Sequence, residues 1–188
     1  YDISPHMVRK ANEKPGEFPN LSFVEADIEN GIPLPDNSVS LVVMNLGTAS
    51  DIRDISGVLK EVERVLETGG RFFFSFYNRD ALLYQWDFVP WPVGLAAEIN
   101  VHKHCLDVHT GAKVLSVYAR PYSVKEVEGL FAPSMKVSKI LTHPTISSIL
   151  PHTLFEGKPA IQKSMTDIDC QLSVADDGAY IIAIGHKV

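Results

Sequence analysis

The chain has 188 residues, 45% of them hydrophobic and 21% charged, with a formal net charge of −6, enough for one compact domain with its own core. That acidity, with Lys and Arg scattered rather than in a run, speaks against a surface that tracks nucleic-acid phosphates, and no apolar run approaches the roughly 20 residues of a membrane span. The two cysteines, Cys105 and Cys170, have no C-x-x-C spacing, form no disulfide framework and read as reduced thiols of a cytoplasmic protein.

Ser4-Pro5 opens the first helix: serine suits an N-cap, and proline suits the first helical position, where its missing N–H costs nothing. Met7, Val8 and Ala11 then share a face. Asp2, just ahead, falls past the carboxyl end of a strand, the ligand side of open α/β sheets. Leu21 to Glu25 is a short β-prone run, and Asp27 follows it. Two spaced carboxylates at strand ends suit a bound nucleoside. Gly31 to Ser38 is turn chemistry, and Val39 to Met44 is an apolar run of the length and type of a buried parallel strand. Ser50 or Asp51 can cap the next helix, whose apolar positions Ile52, Ile55, Val58, Leu59, Val62, Val65 and Leu66 keep the 3.6-residue period. Gly69-Gly70 is expected to end it before a second buried strand, Arg71 to Tyr77. This alternation predicts an α/β fold with a parallel sheet.

Beyond Tyr77, Asp80 to Tyr84 starts helix-like, Pro90 and Pro92 interrupt it, and Leu95, Ala96, Ala97 and Ile99 suggest a second helical piece. Lys103 to His109 and Val114 to Tyr118 form a hairpin across Thr110-Gly111. Ser123-Val124-Lys125-Glu126 is a capping box opening a helix through Val127, Leu130 and Phe131. Met135 to Leu141 and Tyr180 to Gly185 are the last strands, with a loop-rich excursion between them marked by Pro144, Pro151 and Pro159.

Four segments, in order, resemble class I S-adenosylmethionine-dependent methyltransferases of the small-molecule type. Asp2-Ile3-Ser4-Pro5-His6-Met7 is similar to the family's Asp-x-Ser-Pro-x-Met segment after its second strand, and Ala26-Asp27-Ile28 to the segment lining the adenine. Leu34 to Val43 resembles its loop and fourth strand, and Glu61 to Arg71 its helix-to-fifth-strand junction. The resemblance implies a Rossmann-like sheet, mostly parallel with an antiparallel C-terminal strand, and S-adenosylmethionine as cofactor. Asp2, with Ile3 beside it, would hold the ribose hydroxyls. Asp27 would accept from the adenine amino group, with Ile28 on the ring. Asn45, Leu46 and Gly47 would lie near the methionine part. Thr68 stands where the family usually has proline and Ser40 where it often has aspartate, and Met44-Asn45-Leu46-Gly47 departs from the Asn/Asp-Pro-Pro-Tyr/Phe signature of nucleobase and glutamine methylation. The family's first strand and Gly-x-Gly-x-Gly loop have no counterpart before Asp2, so the expected unit is an N-terminally incomplete domain, 1–188, of a protein that extends before Tyr1.

Methyl transfer needs in-line placement above all, and a base only when the acceptor must lose a proton. The weak candidates for catalysis are Tyr77, Asn78 and His102, with His104 further on; Asp80 is rather a helix cap. His102, His104 and His109 beside Asp107 lack zinc-type spacing, so no metal is expected. Trp86, Phe88 and Trp91 could cover an apolar acceptor, making 80–122 a lid and hairpin insertion, and Tyr122 could line the substrate side. The predicted function is methyl transfer to a small-molecule acceptor, without nucleic acid or membrane. A nicotinamide-dependent dehydrogenase, which also sets a carboxylate on ribose, is disfavoured by the Asp27 segment and the Gly-Gly junction. The alternative of another class is a non-catalytic methyltransferase-like binding or scaffolding domain. An incompletely filled sheet can also recruit a second chain, giving a homo-oligomer.

Overall fold

Phe72, Phe74 and Phe76 alternate along one strand and are all fully buried, which makes that strand the centre of the fold. The structure, a computed structural model, describes residues 1–13, 20–85, 96–110, 113–150 and 152–188. In chain order its helices and strands are α1 (Pro5–Asn12), β1 (Val39–Met44), α2 (Thr48–Asp51), α3 (Ile55–Val65), β2 (Leu66–Tyr77), α4 (Leu82–Gln85), β3 (Ala96–Asn100), β4 (Cys105–Thr110), β5 (Lys113–Tyr118), α5 (Val124–Glu128), β6 (Met135–His143), α6 (Ile146–Ile149), α7 (Pro159–Leu172) and β7 (Tyr180–Lys187).

The main sheet has the order β1-β2-β7-β6. β1 is parallel to β2, and β7 runs antiparallel to both β2 and β6, so β7 alone is reversed. This is the expected mixed α/β sheet with its antiparallel C-terminal strand. Helix α3 buries Ile55, Val58, Leu59, Val62 and Val65, the stripe its period predicted, in a core shared with the β2 phenylalanines. Phe131 stacks on Phe72 with ring centroids 5.1 Å apart, bringing the chain after α5 into the same core. The helix caps behave as their chemistry requires: Ser4 Oγ accepts from Met7 N at 3.3 Å with Pro5 in the first turn, and Ser123 and Glu126 cap α5 reciprocally.

Several expectations are corrected. The single helix from Ser50 or Asp51 is two: Ile52 is extended, and Asp54, not Ser50 or Asp51, caps α3 by accepting from Gly57 N at 2.9 Å. The cause is tertiary, because the fully buried Ser50 accepts from Tyr77 N through its Oγ at 2.8 Å and so is tied to β2. Gly69-Gly70 does not end the helix. Leu66 already pairs with Val39, and the register shift before Leu41–Arg71 throws the glycines into a bulge, with Gly69 at φ +82°. The second helical piece after Pro92 is instead β3 over residues 96–100, held by backbone pairing to β4; Leu95 lies outside the described residues. The hairpin thus supplies two strands of a three-stranded sheet, β3-β4-β5. The excursion between the last strands carries the 14-residue helix α7, opened by Pro159 at its first position. Leu21 to Glu25 forms no full strand; it meets Asp2 in one parallel bridge, Asp2 to Glu25. Among the described residues no helix is long and apolar enough to cross a membrane.

Candidate functional site

The Asp2–Glu25 bridge puts two chain segments side by side in parallel, Asp2 N donating to Val24 O and Ala26 N to Asp2 O, each at 3.1 Å. Asp2 and Asp27 therefore leave the carboxyl ends of adjacent extended segments. Each carboxylate also shapes the turn that follows it. Asp2 Oδ1 accepts from Ser4 N at 2.8 Å, while Asp27 caps the turn Ile28–Asn30, accepting from Glu29 N at 3.0 Å and from Asn30 Nδ2 at 2.8 Å. That turn is fastened to α3: Glu29 Oε2 accepts from Asp54 N at 2.9 Å, and Ile28 packs against the core. Ile3 is exposed beside Asp2.

Residues 45–47 follow the carboxyl end of β1. Leu46 holds φ +55° and is 70% exposed, and Gly47 holds φ +82°. A non-glycine residue in the left-handed region is a held conformation of the kind found at ligand sites. Gly47 N donates to the buried Ser75 Oγ at 2.8 Å, and Thr48 N closes the turn onto Asn45 O. A Cβ on Gly47 would come within 2.5 Å of the Tyr77 ring, so only glycine lets this loop lie against Tyr77. The loop and the end of β2 thus form one surface over the carboxyl ends of the parallel strands.

Tyr77 is half-buried and pairs across the sheet with Tyr180, their ring centroids 5.8 Å apart. Burial, with the nearby charge of Asp51 and the Tyr180 phenol, pushes the Tyr77 phenol up to about 12. Asp51, at the end of α2, is an exposed residue, yet partial burial of its carboxyl raises it to about 6. Tyr180 is raised by burial and by Asp51. Sequence reasoning weighed Asp51 only as a cap and passed over Tyr180. The usable signal was position, since Asp51 lies a few residues past a strand end, whereas the Tyr77–Tyr180 register is long-range and invisible in one sequence.

The other candidates separate. Asn78 is fully buried, its Nδ2 donating to Asp176 O at 2.8 Å and Gly178 O at 2.7 Å while its Oδ1 accepts from Asp80 N at 3.0 Å, so it staples two loops. His102 and His104 lie in the turn between β3 and β4, exposed, with His104 at φ +50°; they are not on a strand and share no strand face. Among the described residues no group of three His, Cys, Asp or Glu could hold a metal ion. Tyr122 is a core residue, edge-on to Phe76 at 5.3 Å. Trp86, Phe88 and Trp91 lie outside the described residues.

Residues 1–74 match the family described as "Methyltransferase domain". That stretch holds Asp2, Asp27, residues 45–47 and most of β2. Malonyl-acyl-carrier-protein O-methyltransferase 1 of Ilyobacter polytropus is 37% identical over 77 residues, covering 41% of this chain and 28% of that protein. The ubiquinone/menaquinone biosynthesis C-methyltransferase UbiE of Rickettsia bellii is 35% identical over 81 residues, covering 42% of this chain and 32% of that protein. The match thus spans about a third of the length of these curated relatives. The fold extends further: the PH0226 protein of Pyrococcus horikoshii OT3 superposes over 100% of this chain and 69% of its own, with a TM-score of 0.62 at 15% identity. An S-adenosylmethionine-dependent methyltransferase of Mesorhizobium loti does so over 99% and 78%, with a TM-score of 0.56 at 13% identity. The architecture is the methyltransferase fold.

Proposed function

We propose that this methyltransferase-fold chain transfers a methyl group from S-adenosylmethionine to a small-molecule acceptor in the cytoplasm. The observation that carries the reading is the Asp2–Glu25 bridge, which sets Asp2 and Asp27 at the ends of adjacent extended segments inside the family-matched stretch. The residues fit the cofactor. Two carboxylates at the ends of adjacent extended segments suit ribose hydroxyls and an exocyclic amine, and the close approach of Gly47 to Tyr77 holds residues 45–47 at the carboxyl end of β1. Asp2 would hold the ribose hydroxyls with Ile3 alongside, Asp27 would accept from the adenine amino group, and Ile28 would pack on the ring. Asn45, Leu46 and Gly47 would border the methionine part. The bound cofactor supplies an electrophilic methyl on a sulfonium; the chain supplies alignment and a dry, oriented acceptor site. Residues 80–122, with the sheet β3-β4-β5, form the insertion that would choose the acceptor.

Calorimetric titration of S-adenosylmethionine into the chain tests this. Saturable binding that Asp2→Ala and Asp27→Ala each weaken about tenfold or more, the scale of a lost charge-assisted hydrogen bond, supports it. Absence of binding would overturn the enzyme reading for this chain in favour of a scaffolding domain.

A further inference from the structure

Ser50 is fully buried in α2 and hydrogen-bonds to three separate segments. Its N–H donates to Gly47 O at 2.7 Å, its Oγ accepts from Tyr77 N at 2.8 Å, and its carbonyl accepts from Arg120 N at 2.8 Å. The pairing of β1 with β2 ends at Met44 and Phe74, so Tyr77 N–H lies past the end of β1, and the Ser50 hydroxyl takes a strand's place there. Leu46 and Gly47, both at positive φ, are held from two sides: Gly47 N donates to the buried Ser75 Oγ at 2.8 Å, and Gly47 O accepts from Ser50 N. Arg120 is the second residue after β5, and Ala119 N, just before it, donates to His104 O at 3.0 Å. The Arg120 bond therefore fastens the base of the sheet β3-β4-β5 to α2. A second contact joins the same pieces, the Arg53 guanidinium lying 4.4 Å over the Tyr118 ring. Tyr122 N also donates to Tyr77 O at 2.9 Å, but that bond does not reach the loop. Among the described residues, Ser50 alone is bonded both to the loop of residues 45–47 and to the segment leaving β5.

We infer that Ser50 is a positioning residue for methyl transfer, holding the loop of residues 45–47 on the cofactor side and the end of β5 on the acceptor side in one fixed frame. This rests on the methyltransferase reading, which gives those two segments their roles. In-line transfer tolerates about half an ångström of error in the reacting groups, and a misplacement of about 1 Å costs on the order of a hundredfold in rate. Segments so far apart in sequence keep that register only through a rigid joint. A buried serine is such a joint, because a single side-chain torsion separates its oxygen from the backbone and its own N–H and C=O are engaged as well. Ser50 itself touches neither reactant; it acts through Gly47 and Arg120.

Residue-resolved amide hydrogen exchange tests this, with Phe74 N–H at the buried centre of β2 as the internal reference. Ser50→Ala keeps every backbone group and loses the hydroxyl. The Gly47 and Arg120 amides, neither of which bonds to that hydroxyl, should then exchange about tenfold faster relative to Phe74. Ser50→Thr, which keeps the hydroxyl, should restore both. Val62→Ala, which opens a cavity in the buried stripe of α3, should lower overall stability and leave the two ratios unchanged. A melting curve confirms that each variant is folded. Unchanged ratios in Ser50→Ala, no restoration by Ser50→Thr, or the same acceleration in Val62→Ala would overturn the assignment. In the unmodified chain, where no substitution threatens folding, S-adenosylmethionine should slow the Gly47 and Arg120 amides together; slowing at Gly47 with Arg120 untouched would overturn it too. The two ideas fail separately: expected exchange in the variants without S-adenosylmethionine binding in any sample sinks the methyltransferase reading and leaves the joint between the two segments in place.

Discussion

At the scale of single residues, the site carries a stability cost with a defined sign. Asp51 has its carboxyl raised from 3.8 to about 6, so folding favours its protonated form. Below pH 3.8 it is neutral in both folded and unfolded chains. Between 3.8 and 6 the unfolded chain releases its proton first, and stability falls as pH rises; above 6 that loss is complete. Asp51→Asn removes it. The variant should melt higher than the unmodified chain at pH 7–8, and the two melting curves should converge below pH 4. A wild-type advantage at neutral pH would mean that Asp51 is held by an unrecognised cation. Asn78 has the opposite character: Asn78→Leu leaves the buried Gly178 carbonyl, the Asp176 carbonyl and the Asp80 N–H without their amide partner, a loss of about 1–3 kcal/mol in denaturant unfolding. If that variant unfolds like the parent, water reaches those loops and Asn78 is not their staple.

At the scale of elements, local chemistry reads well and tertiary ties do not. The stripe of α3 and the caps at Ser4 and Ser123 depend on neighbours in sequence, and they stand where the pattern put them; the strand over Val39 to Met44 also forms, parallel to β2, but at an edge of the sheet with Leu41 and Val43 exposed rather than buried, a position its composition does not report. The break between α2 and α3 depends on a hydroxyl reaching 27 residues along the chain to Tyr77 N, and no periodicity reports that. The same holds for β3, whose Ala-rich start is helix-prone until β4 pairs with it, and for α7, which three prolines disguised as loop. The site divides in the same way. Asp2, Asp27 and Gly47 stand in motifs, whereas Asp51 and Tyr180 matter only through the fold. Ser50→Ala tests the tie directly. It strips the partner from a backbone N–H at the sheet end, a cost of about 1–3 kcal/mol, and frees α2 from β2. The variant should lose stability and, alone among surface-neutral changes, lower the Tyr77 phenol in a spectrophotometric titration as Asp51 moves away. An unchanged tyrosine titration would show that α2 is held by its other contacts.

At the scale of the whole molecule, the main sheet has two edges among the described residues, β1 and β6. The sequence of β1, Val39 to Met44, holds no charge or proline to protect it, and Leu41 and Val43 are each 54% exposed. Ile3, Phe23 and Val24, on the two bridged segments, are exposed as well. A long apolar edge of this kind pairs with whatever strand is available, and for the chain alone that is a second copy. Sedimentation velocity should therefore show concentration-dependent association of residues 1–188, and the double variant Leu41→Lys and Val43→Lys should sediment as a monomer. Because β1 leads straight into Asn45, Leu46 and Gly47, pairing at its edge would reach the proposed cofactor site. S-adenosylmethionine should then bind more weakly as the chain is concentrated, while the lysine variant, lacking the competitor, should show one affinity at every concentration. A wild-type chain that stays monomeric would show that the edge of β1 is too short or too twisted to template another strand, and the concentration dependence of binding should vanish with it.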